Sequence, residues 1–169
     1  VAECSEFGHW EMDCICGPRS AKFTLLVLTE RKTRREIIFK IKKQTTEEVV
    51  GCLNGLEQRY GNSFSKVFKT ITVDNGAEFA DCDGMESSIR SKKKRTTIYY
   101  CHPYRSNERG TNERMNREIR RLFPKGTDFS NVSEEEIAKA EEWLNNYPRG
   151  VLNYHTPQEL FDYYLSLID

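Results

Sequence analysis

Apolar and polar positions recur along the chain with two periods. Trp10 to Cys16, Ala21 to Leu28, and Ile37, Ile38, Phe39 and Ile41 are short runs rich in apolar and β-branched residues, with a charged turn from Glu30 to Arg35 between the last two. Runs of this length bounded by turn residues predict strands, and the second and third predict an antiparallel pair. Thr45 or Thr46 before Glu47 and Glu48 predicts a helix start, after which Val49, Val50, Leu53 and Leu56 recur at helical spacing until Gly61. Two further strands are predicted: Thr70 to Val73, ending at Asp74-Asn75-Gly76, and Thr96 to Tyr100, ending at the His102-Pro103 break. A helix is then predicted from about Asn107, with Met115, Ile119 and Leu122 on its apolar face and Pro124-Lys125-Gly126 closing it. Ser133 with Glu136 predicts a capping box for a helix carrying Ile137, Ala140, Trp143 and Leu144, and Thr156-Pro157 opens a last one to about Ile168. The order is three strands, a helix, two strands, then helices. No repeat or Gly/Ser linker interrupts it, so a single domain over 1–169 is expected.

Composition supports a core and charge changes the picture. A chain of 169 residues with 37% hydrophobic residues is long enough to bury a sizeable interior. No apolar run approaches the roughly 18 residues of a membrane span, and Val1 to Trp10 lacks the order of a signal peptide, so a soluble, cytoplasmic protein without a membrane partner is expected. The first residue is not Met, which suggests a piece of a longer protein. The formal net charge of zero conceals an asymmetry: residues 90 to 125 hold 12 Lys or Arg against 3 Glu, a net +9 balanced by −9 elsewhere. A basic stripe of this kind, with Lys92, Lys93, Lys94, Arg95, Arg120 and Arg121 in it, suits the phosphate backbone of DNA, while the alternative is a solvated charged face. Cys4, Cys14, Cys16, Cys52, Cys82 and Cys101 include no Cys-x-x-Cys, and His9, His102 and His155 have no ligand spacing. Reduced thiols are therefore expected, and no zinc module.

Three carboxylates stand where decoration does not account for them. Asp13 lies inside a predicted central strand, where an ionised group is costly unless a cation or hydrogen bonds compensate it. Asp74 ends the next buried strand beside Gly76, whose freedom lets the chain turn there. Glu113 lies on the helix of residues 107 to 123, pointing away from the apolar stripe, toward either solvent or a site. Two Asp on neighbouring strands and a Glu on a following helix would supply the hard oxygen ligands that magnesium or manganese prefers. Around Glu113, Arg109, Asn116 and Arg117 share its face and would hold the phosphate being cut, or else pair internally on an exposed surface.

These residues carry a resemblance. Trp10-Glu11-Met12-Asp13, Thr72-Val73-Asp74-Asn75-Gly76-Ala77-Glu78-Phe79 and Glu108-Arg109-Gly110-Thr111-Asn112-Glu113 resemble the three signature blocks of bacterial insertion-sequence transposases. Phe123-Pro124-Lys125-Gly126-Thr127-Asp128-Phe129, Leu144-Asn145-Asn146-Tyr147-Pro148-Arg149 and Thr156-Pro157-Gln158-Glu159-Leu160-Phe161 are similar to the insertion sequence thirty family in particular. The resemblance implies an α/β, ribonuclease-H-like fold as in retroviral integrases, a mixed five-stranded sheet flanked by helices. It implies a catalytic triad of Asp13, Asp74 and Glu113 holding two Mg2+ or Mn2+ ions. Strand cleavage at element ends and strand transfer into target DNA would follow, with a homo-oligomer joining two DNA ends. Family members also carry an N-terminal helix-turn-helix region, for which nothing before Trp10 provides. A related nuclease or integrase on another DNA substrate, and a non-catalytic DNA-binding or assembly module, are the rival readings.

Overall fold

The computed structural model describes residues 5–102 and 110–168. Five strands, β1 (His9–Cys16), β2 (Thr24–Glu30), β3 (Glu36–Ile41), β4 (Thr70–Val73) and β5 (Thr97–Tyr100), form one sheet in the order β3-β2-β1-β4-β5. β1, β2 and β3 are antiparallel neighbours, whereas β1, β4 and β5 run parallel. All seven residues of β2 are buried, which is why its apolar run is continuous rather than alternating. The strand starts at Thr24 and not at Ala21, because residues 17–23 form the turn out of β1, tied by Ala21 N–H donating to the Pro18 carbonyl.

Helices cover both faces of the sheet. Side chains alternate along a strand, so Leu26 and Leu28 join Trp10, Met12, Leu53 and Phe68 in one core, while Leu25 and Val27 join Ile15, Ile119, Ile137 and Leu144 in the other. The first core lies under α1 (Thr46–Tyr60), and the second under α4 (Gly110–Leu122) and α5 (Glu134–Asn145). Thr45 caps α1, and Gly61 ends it at φ +57°, a conformation that favours glycine. Capping boxes at Ser133/Glu136 and Thr156/Glu159 start α5 and α6 (Pro157–Ser166). Two short helices, α2 (Phe64–Val67) and α3 (Cys82–Glu86), are too brief to leave a periodic signature in the sequence. The expected start of α4 near Asn107 lies outside the described residues. Leu122, expected on the apolar face of α4, is exposed, and Trp143 leaves the core to lie against Tyr147.

The exposed edge of β3 is closed by α5. Asn145, fully buried, accepts from Glu36 N–H at 2.8 Å and donates to the Glu36 carbonyl at 3.0 Å, while Glu141 accepts from Ile38 N–H. Side chains thus take the place of a sixth strand and satisfy groups that would otherwise invite pairing. Among the described residues, no helix is long and apolar enough to cross a membrane.

Candidate active site

β1 is the seam between the antiparallel and parallel halves of the sheet, and the carboxyl ends of β1, β4 and β5 point the same way. The β1/β4 pairing has a constant offset of 61 positions, His9 with Thr70 through Glu11 with Thr72. That offset carried two residues on sets Asp13 opposite Asp74, on strands whose usual separation is about 4.8 Å. The last ladder pair, Glu11 with Thr72, precedes both, so the carboxylates stand where the ladder stops. Crevices outside the carboxyl ends of strands are where open α/β sheets place their ligands.

Parity then selects the face. Asp13 and Ile15 point to the α4 side of the sheet, and Asn116 of α4 donates its Nδ2 to Asp13 Oδ2 at 3.0 Å. The other Asp13 oxygen accepts from Cys14 N–H at 2.9 Å. Asp74 is half-buried, and its Oδ1 accepts from Gly76 N–H at 2.8 Å. Gly76 itself has φ −62°, open to any residue, so the reading that it supplies a sharp turn is corrected. Space is the constraint: a Cβ there would stand 2.6 Å from Glu78 Oε2 and 2.9 Å from Asp74 Oδ1.

Glu113 is exposed in the first turn of α4, one turn before Asn116 and on the same side of the helix. Among the described residues no group of three or more His, Cys, Asp and Glu side chains stands close enough to hold an ion, so the three carboxylates do not form a tight cage here. The donor chemistry nevertheless fits a hard divalent cation. The acidic ligands are carboxylates, and Asn116 Oδ1 is buried without a hydrogen-bond partner beside Asp13. Soft ligation is disfavoured, since burial first, and then the charges of Glu78 and Asp13, push the Cys14 thiol well above its ordinary range and keep it protonated.

Glu78 is the residue that sequence reasoning passed over. It is buried next to Gly76, its Oε1 accepts from Gln44 Nε2 at 2.6 Å, and it faces Cys14. A charged residue directly before the buried Phe79 is the signal that would have found it, whereas Gln44, on the link from β3 to α1, carries none.

The nine residues expected to contact DNA divide. Lys92 and Lys93 are exposed. Lys94 is exposed too, but its ammonium lies 2.6 Å from Glu86. Arg95 is a correction: it is buried, pairs with Glu57 at 3.1 Å, and also donates to Asn54 and to the Met85 and Gly84 carbonyls. Its guanidinium is committed to the fold and cannot also reach a phosphate. Arg117 and Arg121 wall a hollow of about 280 Å³ together with Arg34, Arg114 and Arg149, where Glu118 also lies and pairs with Arg121 at 3.1 Å. Arg120 donates to the Cys16 carbonyl at 2.8 Å, at the end of β1, and Asn116 is the residue that holds Asp13. Arg109 lies outside the described residues.

No protein-family model matches the chain. Individual relatives do. It is 37% identical over 155 residues to the transposase for insertion sequence element IS4351 of Bacteroides fragilis, covering 92% of this chain and 44% of that protein. It is 32% identical over 162 residues to the transposase InsI for insertion sequence element IS30C of Escherichia coli, covering 96% and 40%. A putative integrase, ORF3 of Spiroplasma virus SpV1-R8A2 B, is 31% identical over 157 residues, covering 93% and 46%. The chain thus spans less than half the length of these relatives. In fold it matches the crystal structure of the catalytic core domain of BIV integrase, with a TM-score of 0.69 at 23% identity, covering 96% of this chain and 98% of that one. Over nearly its whole length, then, the chain is a homologue of insertion-sequence transposases, including those of the insertion sequence thirty type, built on the ribonuclease-H-like fold of an integrase core.

Proposed function

We propose that this chain is the catalytic core of a transposase that cleaves DNA strands at element ends and joins them to target DNA, with Asp13, Asp74 and Glu113 as its metal ligands. The observation that carries the reading is the meeting of the β1 and β4 carboxyl ends with α4, fastened by Asn116 on Asp13, in a chain homologous to transposases. Asp13 and Asp74 would take Mg2+ or Mn2+ with Glu113 completing the set. Bound there, such ions would supply activation of water or a 3′-hydroxyl and stabilisation of the leaving oxygen in an in-line displacement. The chain's own residues orient that chemistry. Cys14 N–H and Asn116 hold the two oxygens of Asp13, and Gly76 N–H holds one of Asp74, so both carboxylates are oriented by neighbouring donors. Arg117 and Arg121, with the other arginines of their hollow, hold the DNA backbone by charge. The protein works in the cytoplasm, and two copies or more hold the two element ends together.

Replacing Glu113 by Gln tests the assignment. The residue is exposed, so folding stability should change by no more than about 0.5 kcal/mol. Cleavage and joining of oligonucleotides carrying element ends should both fall by about 1,000-fold or more in full-length protein, the several kcal/mol a metal site supplies. Near wild-type rates at equal DNA affinity would remove Glu113 from the site. The similarity to a viral putative integrase favours a second reading, insertion of viral DNA. Inverted repeats flanking the parent gene would decide for transposition, and their absence for the second.

A further inference from the structure

A cleft outside the nine residues already considered opens beside the carboxylates. It has a volume of about 650 Å³ and is walled by the turn from β1 to β2, which brings Arg19 and Lys22, and by the segment after β3, which brings Lys42 and Lys43. All four cations are exposed, and the lining contains no carboxylate. Among the described residues none of the four forms an ion pair, unlike Lys94 and Arg95. Four cations converging without an acid repel one another, and a polyanion relieves that repulsion.

The cleft is joined to the site at two points. Cys16, on its wall, lies three residues beyond Asp13 on the same strand, about 10 Å away at 3.3 Å per residue. Gln44, on the opposite wall, donates to Glu78, which packs against Gly76 beside Asp74. Arg120 of α4 reaches the same strand end through the Cys16 carbonyl. Successive phosphates of one strand are several ångströms apart along the backbone, so a strand lying at the carboxylates reaches this cleft within a few nucleotides. The volume is within the roughly 300–1,000 Å³ of ligand sites.

We propose that the cleft formed by Arg19, Lys22, Lys42 and Lys43 is a phosphodiester subsite, gripping the backbone of the reacting DNA strand within a few nucleotides of the scissile phosphate. This rests on the reading of the chain as a DNA-cleaving core. The test compares wild type with R19A/K22A, K42A/K43A and the quadruple variant. A control variant loses equal charge elsewhere, at the exposed Arg59, Lys66, Lys125 and Lys139. Duplex binding is followed by fluorescence anisotropy from 50 to 200 mM KCl, with thermal melts to establish that each variant is folded. The quadruple variant should lower the slope of log K against log salt by about 2, the loss of two to three contacts at 0.9 each, and the control by less than half as much. Strand cleavage is then measured on duplexes carrying one neutral methylphosphonate, moved along the strand a nucleotide at a time. Wild type should lose about ten-fold in cleavage when the neutral link stands at the gripped position, within a few nucleotides of the cut, and the quadruple variant should be indifferent to it there. A slope equal to that of the control, or a position effect that survives in the quadruple variant, would overturn the subsite while leaving the transposase reading intact. Failure of wild type to cleave any duplex overturns both.

Discussion

Two of the protein's concentrations of positive charge behave in opposite ways. Lys92 to Arg95 is contiguous in sequence, yet half of it is tied to acids: Lys94 to Glu86, and Arg95 to Glu57 inside the fold. Arg19, Lys22, Lys42 and Lys43 are spread over 25 positions, yet they line one cleft with no acid in its wall. Proximity along the chain is therefore a poor guide to a field in space. An ion pair cancels the field of its members, while a turn and a strand end can assemble one from residues that look unremarkable singly.

The largest effect that would sharpen this contrast is on stability. Arg95→Ala should cost about 3–5 kcal/mol in urea unfolding, because it leaves Glu57 buried without its cation. Removing both, as Glu57→Gln with Arg95→Met, should recover much of the loss. An exposed phosphate ligand would instead lose affinity and keep stability, so a stable Arg95→Ala protein with weakened DNA binding would return Arg95 to the DNA-contacting surface.

Buried acids with and without a cation should differ next. Burial alone would raise Glu57, but bonds from Ser88, Ile89 N–H and Arg95 hold it below its ordinary range. Glu36 is fully buried, takes its bond from the Thr29 hydroxyl, and is pushed up to about 8 by loss of solvent. The native state therefore holds a proton on Glu36 that the unfolded chain has released. Its contribution to stability is complete below pH 4.5 or so and is lost as pH rises toward about 8, with stability falling by an amount on the order of a few kcal/mol. Glu141, also raised by burial, adds in the same sense. Urea midpoints from pH 5 to 8.5 should fall in wild type and fall much less in Glu36→Gln. A flat wild-type profile would mean that Glu36 is ionised throughout.

The smallest effect concerns the exposed half of the contiguous run. Lys92→Ala with Lys93→Ala should alter stability by no more than about 0.5 kcal/mol. The salt slope of DNA binding should drop by at most about 0.9 per lost contact, and by less than in the cleft variant. A larger drop here than in the cleft would invert the comparison.

Much of this architecture was legible in the chain. Each predicted strand, the Gly61 stop, the capping box at Ser133 and the helix start at Thr156-Pro157 come from local rules of period, turn chemistry and hydrogen bonding that act within a few residues, so local sequence suffices to state them. Asp13 and Asp74 stood out because charge in a buried strand or at its end is costly without a purpose. What distance along the chain conceals was decided by the tertiary structure. The 61-residue offset that sets Asp13 opposite Asp74 exists only because β4 returns parallel to β1. The roles of Asn116 and Glu78 depend on which face of the sheet receives α4 and on a contact with Gln44, 34 positions away. Arg95 reads as one more cation in a basic run until α1 presents Glu57 to it. Periodicity records which side of an element is buried, but it cannot record which other element buries it, and that choice sets a side chain's partners, its charge and its use.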